Sequence, residues 1–311
     1  MFSKGSLGRK VLLGTALAGV AGLGGGYAMY QRRLKENRSV SAESFNAAQD
    51  AAKLKEAFKK LCDTQDHPLT KLYRYTTCPW CGTVKAFLDY HRVPHECVEV
   101  EPMFKGELRD SQYKKVPQLR FDTKEGPGPY LVDSQIIVDT LADKMGFAGQ
   151  LKDDEIAKWR SWARSSLVRF VTLEFNRSLP AAWSGYSYID SCDTIPYVNK
   201  LFLKVIGAPV MYIVAMKVTK TRLVKDGLMK PDDDPKVRLH AEVNRFTSEA
   251  LMDIKSQKPK AFHGGSKPDL VDLDTYGVLQ SVRGHRVYTE MINETKIGPW
   301  LTAMDTLLGK A

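Results

Sequence analysis

Two cysteines in the stretch LYRYTTCPWCGTVKAFLDYH, residues 72–91, are placed where they could do thiol chemistry. Cys78 and Cys81 permit three interpretations: half of a zinc site, a redox or nucleophilic thiol site, or two small hydrophobic neighbours in a core. A structural zinc site needs four ligands, and neither Cys62, Cys97 nor the six histidines supply a second pair at a suitable spacing. We therefore predict no metal site, and the other two interpretations stay open at this point.

The position of Cys78 favours a reactive thiol. The residues before it follow a strand pattern, and the residues after it follow a helix pattern with Val84, Phe87 and Leu88 on one face. A cysteine at the first turn of a helix meets unpaired backbone N–H groups, which lower the thiol pKa from about 8.5 to roughly 3.5–7.5. Cys81 lies one turn later and would be a resolving thiol or simply a buried one. Pro79 suits the first helical turn, where its missing N–H costs nothing.

The elements that must position these thiols form a mixed unit over residues 69–147. The pattern predicts a strand at 72–75, a turn at CPWC, a helix through Tyr90, a strand at 97–101, a short helix at 105–113, a strand from Pro117, a strand at 130–134 and a helix at 136–145. Beyond residue 151 the apolar spacing is helical almost throughout, so residues 151–311 are predicted to form a separate all-α domain.

Three features of the helical part are predicted to serve the fold. The apolar segment 201–216 contains Lys204 and is interrupted by Gly-Ala-Pro, so we expect a pair of buried helices there and not a membrane span. Trp159 and Trp162 are expected in the core. Asp269 and Asp272 have the spacing of a helix cap and its capping box.

The amino-terminal region divides into a basic start (residues 1–10), an uncharged stretch (11–30) and a polar helical stalk or linker (31–68). Twenty uncharged residues as a helix span roughly 30 Å, which is the thickness of a hydrocarbon core. We predict a single-pass membrane anchor, and the alternative is a cleaved targeting peptide. The basic, acid-free start favours a mitochondrial membrane, with a Golgi or endoplasmic reticulum membrane as the alternative.

Composition excludes several classes of protein. Five cysteines in 311 residues, an odd number with one close pair, do not indicate a secreted disulfide scaffold. The net charge of +10 is concentrated at the start, because the first 35 residues carry six basic side chains and no acidic one. The rest is nearly balanced and has no basic patch with interleaved aromatic residues, so no nucleic-acid partner is predicted.

Three motifs in order resemble the glutaredoxin and glutathione-transferase superfamily: LYRYTTCPWC, then KKVPQL, then VDSQII. The resemblance implies a thioredoxin/glutaredoxin-like α/β domain followed by a glutathione-transferase-like helical domain. It further implies a cis peptide bond at Val116-Pro117, a strand-like backbone at Val116 for binding glutathione, and glutathione contacts from Asp133 and Ser134.

Longer stretches resemble the type 2 prostaglandin E synthase family. These are the run from Leu72 to Pro102 and the segments YKKVP, DSQII, KWRSWA, GAPVMYIVAMK and FHGGSKPDLVDLDTYGVL. The family resemblance implies that Cys78 is the essential thiol, that Tyr75 assists it, and that the reaction is isomerisation of prostaglandin endoperoxide H to prostaglandin E. It also implies haem bound together with glutathione. Trp80 departs from the family, which more often has phenylalanine at this position.

Three functions remain in competition from the sequence. The first is a membrane-anchored, glutathione-dependent enzyme in which Cys78 acts on a small lipid-like peroxide or a disulfide, with help from Tyr75. The second is a dithiol oxidoreductase that cycles Cys78 and Cys81 through a disulfide. The third is a non-catalytic subunit of a membrane complex, and the chain could also form a homodimer.

Overall fold

The computed structural model describes residues 38–61, 69–123, 126–253, 256 and 258–310. The predicted membrane or targeting helix at 11–30 lies outside these residues. The described chain consists of an α/β unit followed by a helical region, and one continuous hydrophobic core contains residues of both.

The first two helices, α1 (Ala42–Ala47) and α2 (Ala51–Leu61), pack against the sheet of the α/β unit. The Asn46 side chain makes two 2.9 Å hydrogen bonds to the backbone of Val132, at the edge of the sheet, and Phe58 packs edge-on against Phe121. The helical pattern predicted within the stalk or linker at 31–68 is present here, but these helices pack on the sheet and do not form a separate stalk. The apolar side chains of these helices cover a strand edge and a sheet face that water would otherwise reach.

The sheet has four strands in the order β2-β1-β3-β4. Their bounds are β1 Leu69–Arg74, β2 His95–Glu99, β3 Gln118–Asp122 and β4 Tyr130–Val132. Strands β1 and β2 are parallel, because helix α3 (Pro79–Tyr90) crosses between them, and the other two pairings are antiparallel. Helix α4 (Ser134–Lys144) closes the unit. This is a thioredoxin-like fold of the glutaredoxin and glutathione-transferase type, as predicted.

The strand directions bring the predicted site residues to one end of the sheet, where strands begin or finish. Tyr73 near the end of β1 pairs with Gln118 at the start of β3, and Gln118 pairs with Val132 at the end of β4. The end of β1, the start of β3 and the end of β4 therefore lie at the same end of the sheet.

One predicted element is largely missing. The helix expected at 105–113 is reduced to a single 3₁₀ turn, Gly106–Leu108. Only Leu108 and Tyr113 of this stretch are buried hydrophobic residues, so it has no apolar face that would stabilise a longer helix.

The helical region contains seven helices within the described residues. They are α5 (residues 154–175), α6 (Leu179–Gly185), α7 (Tyr197–Lys225), α8 (residues 235–250), α9 (Leu270–Gln280), α10 (Arg286–Glu294) and α11 (Gly298–Leu307). Trp159 and Trp162 are buried in the core, as predicted. The capping box at the start of α9 is also confirmed, because the Asp269 and Asp272 side chains each accept a backbone N–H from the other residue.

The segment 201–216 differs from its prediction. It belongs to one continuous helix, α7, and most of its large hydrophobic side chains are exposed. Pro209 does not break the helix, because the preceding turn, Leu203–Gly207, is π-helical and the wider turn accommodates the missing N–H. Gly207 lies against the Tyr186 ring, where a Cβ would come within 2.6 Å of the ring.

The α/β unit and the helical region meet where α3 crosses α9. A Cβ on Gly82 would lie 2.0 Å from the Gly277 carbonyl oxygen, and a Cβ on Gly277 would lie 2.5 Å from the Gly82 backbone. The two helices therefore touch backbone to backbone. Glycine is required at both positions for this distance.

A buried ion-pair network reinforces the same junction. Asp274 of α9 accepts a hydrogen bond from Arg160 Nε at 2.9 Å and another from Arg164 Nη2 at 3.2 Å, and Arg160 also pairs with Asp139 of α4 at 2.5 Å. The network joins α4, α5 and α9, so charges from both parts of the molecule neutralise one another in the interior. Removing one member would leave an uncompensated buried charge.

We predict that Gly277→Ala destabilises the protein, since the added methyl group has no space at the crossing. Overpacking of this kind typically costs about 1–3 kcal/mol. Gly298→Ala is a matched control, because a Cβ there meets nothing closer than 3.9 Å. Urea denaturation should show a lower midpoint for Gly277→Ala and an unchanged or slightly higher one for Gly298→Ala. Equal midpoints in the two variants would contradict the close contact.

Candidate functional site

Cys78 is the N-cap residue of α3, directly after the loop that leaves β1. Its Sγ accepts a hydrogen bond from the backbone N–H of Cys81 at 3.4 Å, and its own N–H donates to the Tyr75 carbonyl at 3.1 Å. The predicted placement at a helix amino terminus is confirmed. The thiol thus takes the position in which serine or aspartate caps other helices, and a negative charge is stabilised there.

The two thiols have opposite ionisation tendencies. The hydrogen bond from the Cys81 thiol lowers the pKa of Cys78, and the N–H groups of Cys81 and Trp80 lower it further against the effect of burial. Burial raises the pKa of Cys81 well above its usual value, and the hydrogen bond and charge of Cys78 raise it further. Cys78 is therefore the thiol of the pair that loses its proton first.

Glu99 holds the loop between β1 and Cys78. Its carboxylate accepts hydrogen bonds from the Thr76 N–H at 2.9 Å and from the Thr76 hydroxyl at 2.7 Å, and it forms an ion pair with the Arg74 guanidinium at 2.6 Å. These bonds fix the backbone two residues before the reactive thiol. Glu99 is the last residue of β2, so the parallel pairing of β1 and β2 brings it here.

Tyr75 lies beside both thiols. Its pKa is raised, first by burial and then by the negative charges of Cys81 and Cys78. The phenol consequently keeps its proton at neutral pH. A protonated phenol next to a thiolate can donate a hydrogen bond to an oxygen that becomes negatively charged during a reaction.

Cys78 opens into a cavity of about 450 Å³ between the α/β unit and the helical region. The α/β wall consists of Tyr75, Thr77, Cys78, Pro79, Trp80, Pro102, Lys105, Lys115 and Val116. The helical wall consists of Val171, Thr172, Phe175, Asn176, Ala182, Gly185, Tyr186, Tyr188, Met211, Ser281 and Val282. A volume of this size suits a small molecule, and most of the lining is apolar.

The helical wall contains residues that the sequence did not indicate. Burial raises the pKa of Tyr186 to about 12, and burial also raises the pKa of Tyr188, so both phenols remain protonated. They lie in a short segment, with Tyr188 inside a 3₁₀ turn, where no helical or strand period marks a functional face. The repeated aromatic-polar pattern YSY was the only signal in the sequence.

The Val116-Pro117 peptide bond is cis, as predicted. Val116 lines the cavity just ahead of β3, and the Gln118 side chain holds this turn by donating to the Tyr113 and Lys115 carbonyls at 2.5 and 2.9 Å. Lys115, which precedes Val116, is exposed and brings a positive charge to the cavity wall. An extended peptide with carboxylate groups could lie along this turn.

Asp133 and Ser134 follow β4 at the same end of the sheet, but they are not among the residues that line the cavity. Asp133 caps α4, because its Oδ1 accepts from the N–H groups of Gln135 and Ile136 at 2.9 and 3.3 Å. Its φ of 75° is rare for a residue other than glycine, and such backbone strain is often found at ligand sites. Ser134 is buried in the first turn of α4.

The chemistry of the lining was compared with the groups that the sequence implies. Glutathione fits, since the lining offers an ionisable thiol, the backbone of Val116 and the cations Lys105 and Lys115 for its carboxylates. The described lining does not fit haem beside a reactive Cys78. It contains no histidine, so the Cys78 thiol itself would have to bind the haem iron. No group of three or more metal-ligating side chains occurs in the described part of the chain.

Residues 72–148 match the family model of the glutathione S-transferase N-terminal domain. The chain is 27% identical over 285 residues to prostaglandin E synthase 2 of Mus musculus, covering 77% of this chain and 70% of that protein. It is 28% identical over 330 residues to prostaglandin E synthase 2 of Danio rerio, covering 91% of this chain and 79% of that protein.

Among solved structures, glutaredoxin 2 of Salmonella typhimurium in complex with glutathione is 14% identical, with a TM-score of 0.47, covering 78% of this chain and 96% of that chain. The sequence comparisons support a glutathione-related enzyme. The chain thus carries a glutathione S-transferase-type N-terminal domain at residues 72–148 and is similar over most of its length to the prostaglandin E synthase 2 proteins.

Proposed function

We propose that the chain is a membrane-anchored, glutathione-dependent thiol enzyme that isomerises a lipid endoperoxide, as the family resemblance implies for the conversion of prostaglandin H to prostaglandin E; the name of its relatives, prostaglandin E synthase 2, supports the proposal. The observation that carries the proposal is Cys78, a thiol of lowered pKa at a helix amino terminus that opens into an apolar cavity. The mitochondrial membrane and the anchor at residues 11–30 belong to the same proposal and rest on the sequence.

Cys78 and Tyr75 would divide the chemistry between them. The Cys78 thiolate attacks one oxygen of the endoperoxide, an S–O bond forms, and the O–O bond breaks. The second oxygen leaves as an alkoxide, which the Tyr75 phenol stabilises by a hydrogen bond until it is protonated to the alcohol. Loss of the proton from the carbon that bears the S–O group then forms a ketone and returns the thiolate. The net result is isomerisation with no change in the oxidation state of Cys78.

The lining supplies a place for glutathione next to this thiol. When bound, glutathione supplies a second thiol, which can donate a proton and reduce an oxidised Cys78. The Val116 backbone would pair with the peptide part of glutathione, and Lys115 would attract a carboxylate. Asp133 and Ser134 follow the neighbouring strand β4 at the same end of the sheet. They remain proposed contacts for the glutamyl end of glutathione.

A dithiol oxidoreductase is the second candidate, because Cys78 and Cys81 lie within one turn of each other and form a hydrogen bond. Burial and the raised pKa of Cys81 favour the single-thiol mechanism. A third candidate is a non-catalytic subunit of a membrane complex, in which neither thiol would be needed for turnover.

We predict that Cys78→Ser abolishes endoperoxide isomerisation, since a serine hydroxyl is not ionised near neutral pH and is a much weaker nucleophile. Cys81→Ser should retain most activity, because its hydroxyl can still donate a hydrogen bond to Cys78. The assay follows conversion of an endoperoxide and reduction of a protein disulfide by the full chain at fixed glutathione.

The same assay separates the alternatives. Equal loss of isomerisation in both variants would rule out the single-thiol mechanism. Loss of protein-disulfide reduction in Cys81→Ser, with rapid reduction by the parent chain, would favour the dithiol oxidoreductase. Unchanged isomerisation in Cys78→Ser would exclude both enzymes and leave the membrane-complex subunit.

We expect Tyr75→Phe to slow the chemical step by roughly 10²–10³-fold, which is typical for loss of one hydrogen-bond donor to a developing oxyanion. Glutathione affinity should change little, because the ring is retained. The measurement is single-turnover conversion of the endoperoxide together with calorimetric titration of glutathione. Tyr73→Phe is the control, since Tyr73 is a tyrosine of β1 two residues before Tyr75 that does not line the cavity. Equal rates in the two variants would contradict the role of Tyr75.

The ionisation of Cys78 should appear in its alkylation rate. Because hydrogen bonds from Cys81 lower the pKa of Cys78, the rate with iodoacetamide should reach half its maximum below the ordinary thiol value of about 8.5. In Cys81→Ala the thiol donor is lost, so the midpoint should move to higher pH. Mass spectrometry of the alkylated peptide provides the readout. A midpoint at or above the ordinary value in the parent chain would contradict the assignment.

A further inference from the structure

Helix α7 exposes a long apolar face. Eight large hydrophobic side chains along its first four to five turns are between 40% and 78% exposed: Tyr197, Val198, Leu201, Phe202, Val205, Ile206, Val210 and Ile213. Their spacing of three to four residues places them on one side of the helix. We call these eight residues the outer face. Monomeric proteins rarely expose large continuous apolar patches, so eight exposed apolar side chains on one side of a helix indicate an interaction.

The neighbouring helix enlarges this surface. Helix α6 packs against α7, and it exposes Leu179 by 50% and Trp183 by 44%. Together with Tyr197 and Phe202, Trp183 gives the surface the large aromatic side chains that are enriched where a protein meets the headgroup region of a bilayer.

The charges of α7 have one sign. Residues 197–225 include six basic residues and no acidic residue. Lys217 and Arg222 are exposed in the second half of the helix, beyond the outer face. A helix with an apolar face and only basic charges is complementary to the surface of a membrane that contains anionic lipids.

The opposite side of α7 is attached to the protein. Leu203, Ala208, Ala215 and Leu223 are buried, and Met211 lines the cavity next to Cys78. Just past the helix, Asp226 pairs with Arg169 of α5 at 2.6 Å. Among the described residues, α7 is the one helix that is long and apolar enough to cross a bilayer. Its packing, however, fixes it to the body of the protein. It can therefore lie on a membrane more readily than span one.

We propose that the outer face of α7, with Leu179 and Trp183, lies in the headgroup boundary of an anionic bilayer leaflet, with the helix axis parallel to the membrane plane. The uncharged stretch 11–30 is long enough to span the same bilayer, and seven residues separate it from residue 38, where the described chain begins. Seven residues extend to at most about 25 Å, so an inserted anchor would keep the protein close to the surface. This inference does not depend on the reaction at Cys78.

The test measures the depth of individual positions with the full chain on vesicles. An environment-sensitive fluorophore is attached at Val205→Cys, and the matched control is Val237→Cys, an apolar position of α8 that is 64% exposed but outside the outer face. The labelled parent chain gives the background from the native cysteines. Vesicles contain phosphatidylcholine with or without phosphatidylserine, and lipids with a nitroxide near the headgroup act as quenchers.

We expect blue-shifted emission and nitroxide quenching at position 205 on vesicles with phosphatidylserine, and neither effect at position 237. Adding Lys217→Glu and Arg222→Glu to the position 205 variant should reduce the quenching, because both charges are exposed and their reversal repels anionic lipids. Circular dichroism would show that the charge variant remains folded.

Three results would overturn the proposal. The first is a water-exposed label at position 205 on vesicles with phosphatidylserine. The second is equal quenching on vesicles without phosphatidylserine, which would exclude an anionic partner. The third is a blue shift without vesicles at concentrations where sedimentation equilibrium shows a dimer, because a second copy of the chain would then occupy the outer face.

Discussion

The backbone contact between Gly82 and Gly277 sets the geometry of the site. Gly82 lies one turn after Cys78 on α3, and Gly277 lies one turn before Ser281 and Val282, which line the cavity after α9. One helix crossing therefore fixes both the thiol and part of the wall opposite it. Asp274, on the same helix α9, forms buried ion pairs with Arg160 and Arg164 of α5. These pairs oppose sliding of α9 along its axis, because such a shift would separate buried charges.

The cavity combines one thiol of lowered pKa with phenols that stay protonated. Hydrogen bonds within the first turn of α3 lower the pKa of Cys78, whereas burial raises the pKa of Cys81, Tyr75, Tyr186 and Tyr188. At Cys78 the hydrogen bonds from the Cys81 thiol and from backbone N–H groups outweigh burial, whereas at the other four groups burial is the largest effect. In a low-dielectric cavity a hydrogen bond from a phenol to a new oxyanion is stronger than it would be in water.

Helix α7 serves two environments at once. Its inner side completes the core and contributes Met211 to the cavity, and its outer face is apolar without a partner in the described chain. The helix remains continuous through Pro209 because the preceding turn, Leu203–Gly207, is π-helical, and a second π-helical turn follows at Val214–Thr219.

Local chemistry let the sequence by itself determine much of this protein. The strand-to-helix position of Cys78 and the capping box at Asp269 and Asp272 each depend on residues close together in the chain, and both were predicted from it, whereas the cis bond at Val116-Pro117 was predicted from the family resemblance. Only the tertiary structure decided the packing of residues 42–61 on the sheet, the tyrosines of the helical wall and the exposure of α7. An apolar or polar pattern records which side chains avoid water, but the surface that each one meets is fixed by contacts between residues far apart in the sequence.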